Sequence, residues 1–310
     1  MTAGIGTMSQ GTFPRSLEKG MRKVFGAGYG DTPQVWSQIF KENKSTRAYE
    51  IDYQFEGFGL AGEQADTTSV TYDSMNQGYI PKYIMTNYSK AFAISRDLID
   101  DESYGLALKM SESLGSTLLQ TQEVTMSNIL NRAFDSNYTM TGGDGVSLCS
   151  TAHPYGPSKS GTWQNELTTG AALSEASLED MFVLIRTTTN ARGLQIGLKP
   201  LKVIVPAAEE FNAQRILKSA MQNDTANNAI NAVRTVSTLS RDPLINEYLD
   251  SSTRWFVETD CKVGLNHFTR KPIIFDKEQD FDSSVWKFKA GYREASGWSD
   301  PRILFGSDIN

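Results

Sequence analysis

Residues 49–56 read Tyr49-Glu50-Ile51-Asp52-Tyr53-Gln54-Phe55-Glu56, and residues 82–94 answer them with Lys82, Ile84, Thr86, Tyr88, Lys90, Phe92 and Ile94 at every second position. A period of two marks an extended strand, because successive side chains leave opposite faces of the pleat. The first run predicts a half-buried strand, with Tyr49, Ile51, Tyr53 and Phe55 on the covered face and Glu50, Asp52, Gln54 and Glu56 toward water. Between the runs lie Gly57-Phe58-Gly59-Leu60-Ala61-Gly62, a β-prone stretch from Thr67 to Tyr72, and Gly78. Two strands joined in this way form one long hairpin, whose returning limb exceeds an ordinary strand.

The composition of this hairpin is one-sided. Residues 48–81 contain Glu50, Asp52, Glu56, Glu63, Asp66 and Asp73 without a Lys or Arg, a formal charge of −6. Residues 14–47 contain Arg15, Lys19, Arg22, Lys23, Lys41, Lys44 and Arg47 against Glu18, Asp31 and Glu42, a formal charge of +4. Two solvated faces would account for this; so would docking of one copy's hairpin on another copy's basic segment.

On the N-terminal side, Leu17, Met21, Val24 and Phe25 recur at helical spacing from Ser16, and the run Gly26-Ala27-Gly28-Tyr29-Gly30 should stop that helix. Val35, Trp36, Ile39 and Phe40 follow, a pattern that suits either a core or an anchor between subunits. On the C-terminal side, Ser95 to Glu102 turns the chain into a proline-free helical stretch from about Tyr104 to Phe134. Ala107, Met110, Leu114, Leu118, Ile129 and Ala133 outline its apolar stripe, interrupted at Thr121 and Thr125, and the rod would extend ~45 Å.

Beyond the rod the chain is rich in turns. A helix capped at Ser174 or Ser177 should bury Leu178, Met181, Leu184 and Ile185 and end at Arg192-Gly193. The strand Leu201 to Pro206 should lead into a helix from Ala207 to Ala220 with Phe211, Ile216 and Leu217 inward. Residues 222–232 read as a loop, and short strands are expected at Val233 to Leu239, Trp255 to Glu258, Lys271 to Phe275 and Val285 to Ala290. Helices and strands are mixed without regular βαβ alternation, so the class is α+β.

A chain of 310 residues with 39% hydrophobic content can bury a sizeable core. Its net charge of −6 argues against a dedicated nucleic-acid reader. Two cysteines are too few for a disulfide framework, which points to a reducing cytoplasm, and no apolar run approaches the ~20 residues that span a bilayer. Catalytic material is sparse. Cys149 and His153 are spaced for a dyad, but their Gly-rich flanks and Pro154 argue for a loop with a structural role. Asp100-Asp101-Glu102 is more simply a set of acids before a helix than a cation site. No catalytic, cofactor-binding or metal residues are assigned.

Several stretches together resemble a known family: Phe25-Gly26-Ala27-Gly28-Tyr29 with Val35-Trp36, Glu56-Gly57-Phe58-Gly59, Gln77-Gly78-Tyr79, Ile94-Ser95-Arg96-Asp97-Leu98-Ile99-Asp100-Asp101, Ile129-Leu130-Asn131-Arg132-Ala133-Phe134, Ser150-Thr151-Ala152-His153-Pro154, Leu173-Ser174 with Ser177-Leu178, and Leu201 to Pro206. The chain resembles the HK97-type major capsid proteins of tailed bacteriophages, and within them the major head subunit of Mu-like phages. The resemblance implies residues 1–47 as an N-terminal arm, 48–81 as the E-loop hairpin, 82–141 as the peripheral domain with its spine helix, 142–265 as the axial domain, and 266–310 as return strands of the peripheral domain.

It implies a structural, non-enzymatic subunit that self-assembles into pentamers and hexamers of an icosahedral shell around phage DNA, without a cofactor. Its partners would be further copies of itself, a portal, a separate scaffolding protein and non-specifically bound double-stranded DNA, with no membrane. An encapsulin-like cargo shell is the nearest alternative, and a Cys-His enzyme a more distant one. The E-loop lysine that joins a neighbour's asparagine in the covalent chainmail of this fold has no counterpart in residues 48–81. No long charged helical prefix precedes the arm, so a fused scaffolding domain is not expected.

Overall fold

The computed structural model describes residues 20–26, 34–100, 104–157, 159–221, 230–283 and 285–309. The expectations for Arg15, Leu17, Lys19, residues 27–30, Asp101, Glu102 and most of the Asn-rich stretch lie outside them. The chain divides into two compact units. One comprises Met85–Thr125 and Thr269–Glu294 with the described part of Met1–Gln34; the other comprises Val35–Ile84, Met126–Phe268 and Ala295–Asn310.

In the first unit, residues 20–26 form helix α1, and strand β4 (Thr86–Ile94) pairs antiparallel with the N-terminal part of β11 (Trp286–Trp298). Strand β10 (Leu265–Gln279) is the other neighbour of β11. The register sets Phe92 opposite Phe288 and Tyr88 opposite Tyr292. Their rings stack at centroid distances of 5.0 and 5.2 Å, the geometry that favours aromatic pairs across a sheet. Ala107, Leu114 and Leu118 of helix α3 (Tyr104–Asn131) join this cluster, as do Met21 and Phe25 of α1. The apolar stripe read from the sequence is therefore a true core face. Helix α3 has 28 residues, about 42 Å at the α-helical rise. Where the stripe weakens the interior turns polar, and Gln122 Nε2 donates to Glu294 Oε2 over 2.8 Å with both side chains buried.

The second unit is built on a four-stranded sheet in the order β12-β9-β7-β8. Its strands are β12 (Leu304–Ser307), β9 (Trp255–Thr259), β7 (Pro200–Pro206) and β8 (Leu244–Asn246), and only the β7–β8 pairing is parallel. Alternation along β7 sends Val203 and Val205 into one core and Ile204 into another. The first core is filled by Leu178, Met181 and Ile185 of helix α4 (Glu175–Thr187) and Ile216 and Leu217 of helix α5 (Glu210–Lys218). The second holds Met126, Ile129 and Leu130 from the end of α3 with Trp36, Ile39 and Phe40. Trp36 is thus a core residue and not an anchor between subunits. Ser174 caps α4 with its Oγ accepting from Ser177 N, and Ser177 Oγ accepts in turn from Ser174 N, which is why the helix starts there.

Several expectations change in the folded chain. The returning limb is two strands, β3 (Lys82–Ile84) and β4, separated at the buried Met85. Helix α4 ends at Thr187, because Thr188 is extended and Thr189 bridges Gln195; Arg192-Gly193 belongs to the turn that follows. Phe211 is exposed, since the buried stripe of α5 runs through Ala213, Ile216 and Leu217. Val233 to Leu239 opens with a 3-10 turn at Val233–Thr235, where Asn231 Oδ1 accepts from Arg234 N and Thr235 Oγ1 donates to Ala232 O. Local side-chain bonds of this kind compete with strand pairing. Strands β8 and β12 went unanticipated, and β12 pairs with β9.

Asn165 ties the second unit together. Its Nδ2 faces the carbonyls of Leu148, Pro301 and Leu304 at 2.7–3.1 Å, while its Oδ1 accepts from Ser150 N. Replacing Asn165 with Ala leaves buried acceptors without a donor and should cost about 3–5 kcal/mol, read as a lower denaturant midpoint. In the first unit, burial pushes the Glu294 carboxyl up to about 7. The stability gained from that proton is full below the ordinary carboxylate range and is lost as pH rises through about 7. The variant Glu294→Gln should match the parent near pH 4.5 and be more stable by on the order of 2 kcal/mol at pH 8. Parallel melts across this range that stay parallel would contradict the assignment.

Candidate assembly surface

The hairpin is rooted by β1 (Lys41–Lys44) and β2 (Tyr49–Ile51), of which β2 pairs with β3 so that Tyr49 faces Ile84. Main-chain bonds continue the pairing outward from Asp52 N to Pro81 O, through Gln54 and Tyr79, to Glu56 N and Asn76 O. The root is held on its polar side. Glu50 Oε1 accepts from Ser45 Oγ over 2.5 Å, Gln54 Nε2 donates to Ser299 O, and the buried Glu56 receives Asn76 Nδ2 at 3.3 Å with Lys159 Nζ at 4.0 Å. Tyr83 Oη sits 2.6 Å from Ser299 Oγ and accepts from Asn266 Nδ2, and burial pushes the phenol up to about 12.

Gly142 completes the root. Its φ is +75° and a Cβ there would stand 2.2 Å from Ile80 O, so only glycine lets residues 140–143 lie against the returning limb. Ile80 N and Lys82 N donate to Gly142 O and Thr141 O across that approach.

The aromatic side faces the other way. Tyr49, Tyr53 and Phe55 are 47%, 57% and 62% exposed, whereas Glu50, Asp52 and Gln54 are partly covered and Glu56 is buried. The alternation is therefore real, but its two faces are reversed from the sequence expectation. Past Glu56 no regular strand forms, and Phe58, Leu60, Val70 and Tyr72 stand in solvent, Tyr72 at 96%. The two limbs are clipped where Asp73 Oδ2 accepts from Gly59 N at 2.8 Å. That bond, with those from Ser74 N and Arg192, holds the Asp73 carboxyl below its ordinary range.

Among basic residues outside the hairpin, Arg22 and Lys23 lie exposed on α1, Lys109 is exposed on α3, and Arg96 is exposed on helix α2 (Arg96–Asp100). Arg22 also donates to Phe275 O at 3.4 Å. His153 and Cys149 form no reactive pair. His153 is fully buried on strand β5 (His153–Pro154), stacked on Trp163 of β6 (Thr162–Trp163) at 4.7 Å. Its Nδ1 meets Asp144 Oδ2 at 2.6 Å and its Nε2 meets Asn165 Oδ1 at 3.0 Å. Burial raises the Cys149 thiol well above its ordinary range, which removes the thiolate a nucleophile needs. Among the described residues, no group of His, Cys, Asp and Glu is arranged for a metal, and no helix is long and apolar enough to cross a membrane.

The folded chain is similar to a virus-like particle from Pyrococcus furiosus, with 7% identity and a TM-score of 0.54 over 94% of this chain and 98% of that one. It is similar to a structure of Mycobacterium phage Patience, with 10% identity and a TM-score of 0.54 over 100% and 90%. It is also similar to the capsid of the native GTA particle, with 13% identity and a TM-score of 0.53 over 90% and 92%. At such identities the likeness is one of fold, and no curated sequence matches the chain. The sequence itself matches the family model described as phage capsid protein over residues 81–305, from the end of the hairpin through both units to β12. With the HK97-like α+β architecture and this match in hand, the chain belongs to the phage capsid protein family, and as a capsid shell subunit its place is in the virion.

Proposed function

We propose that the chain is the major head subunit, which self-associates into pentameric and hexameric capsomers of a closed icosahedral shell around double-stranded DNA. The observation that carries this reading is the reversed hairpin: polar side chains bind it to its own chain while Tyr49, Tyr53, Phe55, Phe58 and Tyr72 are left to solvent. A two-limbed hairpin has no interior in which to bury them. A neighbouring copy can cover them, and closed symmetry repeats that burial at every interface. In this reading residues 1–47 would serve as the arm, 48–81 as the hairpin, 82–141 as the peripheral domain, 142–265 as the axial domain and 266–310 as return strands. A portal and a separate scaffolding protein would complete the assembly, and packaged DNA would be contacted without sequence preference. The subunit performs no chemistry. The buried, fully engaged His153 and the protonated Cys149 thiol support this.

The hairpin's six acids favour docking near basic side chains such as Arg22, Lys23, Arg96 or Lys109 of another copy. Exposed pairs are individually weak, and their sum over many interfaces leaves each step reversible.

Replacing residues 58–75 with a short Gly-Ser turn should leave a monomer with an unchanged melting temperature that forms no shells by negative-stain microscopy. Normal shells from that variant would refute hairpin docking. Assembly followed by light scattering should slow between low salt and 1 M NaCl, where the screening length is about 3 Å, and should slow again when Arg22 and Lys23 are both changed to Glu. A rate indifferent to both changes would assign the contact to the aromatic residues alone.

A further inference from the structure

Among the described residues, the hydrogen bonds that reach residues 57–75 from outside the hairpin both come from Arg192, whose Nη2 donates to Ser74 O at 2.5 Å and to Asp73 Oδ1 at 3.4 Å. Arg192 is presented on a built turn. Asn190 Oδ1 accepts from the amides of Arg192 and Leu194 at 2.9 and 3.0 Å, Gly193 N returns to Asn190 O, and Gly193 takes a φ of +76° that glycine accepts freely. The bridge between Thr189 and Gln195 closes the base of the turn. On the hairpin side, Asp73 is the residue that also clips the limbs together through Gly59. Arg192 therefore grips the point where the two limbs are already joined, so one side chain fixes both.

We propose that Arg192 is an intrachain latch that holds the acidic hairpin against its own chain in the unassembled subunit and releases it when the hairpin docks on a neighbour. The holding half stands on the geometry alone; the release half rests on the docking reading above. The contact is suited to release. Both bonds use one guanidinium nitrogen instead of the two-nitrogen fork that makes Arg–carboxylate pairs strong, and the Asp73 side chain is 41% exposed. The buried Nε has no hydrogen-bond partner among the described residues, so the latched position leaves part of the guanidinium's donor capacity unmet.

The two halves are tested separately. Limited chymotrypsin digestion of unassembled subunits reads hairpin exposure directly, because Phe58, Leu60 and Tyr72 are 57%, 83% and 96% exposed. Arg192→Ala should raise the rate of cutting at these residues about two- to five-fold at an unchanged melting temperature, the effect expected of one exposed pair, and Arg192→Lys should fall between. Should Arg192→Ala lower the melting temperature, Asp73→Asn gives the same reading from the hairpin side without touching the turn. Unchanged cutting in the variant that folds normally overturns the latch. In assembly, Arg192→Ala should shorten the lag in light scattering, and an unaltered lag overturns release as a step of assembly. If the 58–75 replacement still forms shells, docking itself is refuted while the digestion result continues to decide the holding contact.

Discussion

A hairpin of two limbs has faces but no interior, and this constraint governs the rest of the molecule. Polar contacts at the root take one face: Glu50, Gln54 and Glu56 bind Ser45, Ser299, Asn76 and Lys159. The other face, with Tyr49, Tyr53 and Phe55, is left for a surface the single chain does not supply. Leaving an aromatic face in water is unfavourable in a monomer, and the same cost becomes driving force once a second copy covers it.

For a lever to transmit anything its root must be stiff, and the second unit is organised to make it so. Gly142 allows main chain to pack on main chain beside Ile80, and Tyr83, Ser299 and Asn266 lock the strand behind it in a buried hydrogen-bonded cluster. Asn165 then joins the loop at Leu148 to the terminal segment at Pro301 and Leu304, next to the His153–Asp144 pair. Buried polar groups that are fully satisfied confer rigidity in this way, since every alternative arrangement leaves one of them unpaired. The two histidines belong to this structural economy: burial against Trp36 draws His267 down to about 4 and keeps its ring neutral.

Much of the plan was legible. The period-two runs found the hairpin and β4, the apolar stripe found α3 and its core face at Ala107, Leu114 and Leu118, and Ser174 with Ser177 marked the start of α4. Misjudged elements share a cause. The end of α4, the turn at Val233–Thr235 and the outward Phe211 depend on local side-chain bonds or on which stripe of a short helix meets the sheet, and neither is encoded in hydrophobicity alone. Strands β8 and β12 are three and four residues long, below the length at which a period can be recognised.

Sequence by itself determined that residues 49–56 alternate and that residues 48–81 carry acids without a single Lys or Arg, because alternation and charge are properties of the residues in order. It could not determine which alternating face turns inward. That choice was made by Ser299, Asn266, Lys159 and Gly142, which lie far along the chain and meet the hairpin only after the strands and loops of the second unit have folded. The pairing of Arg192 with Ser74 and Asp73 is of the same kind, joining residues 118 and 119 positions apart, and nothing in either local sequence announces it. A period specifies two faces, and only the rest of the folded chain can say which of them it covers.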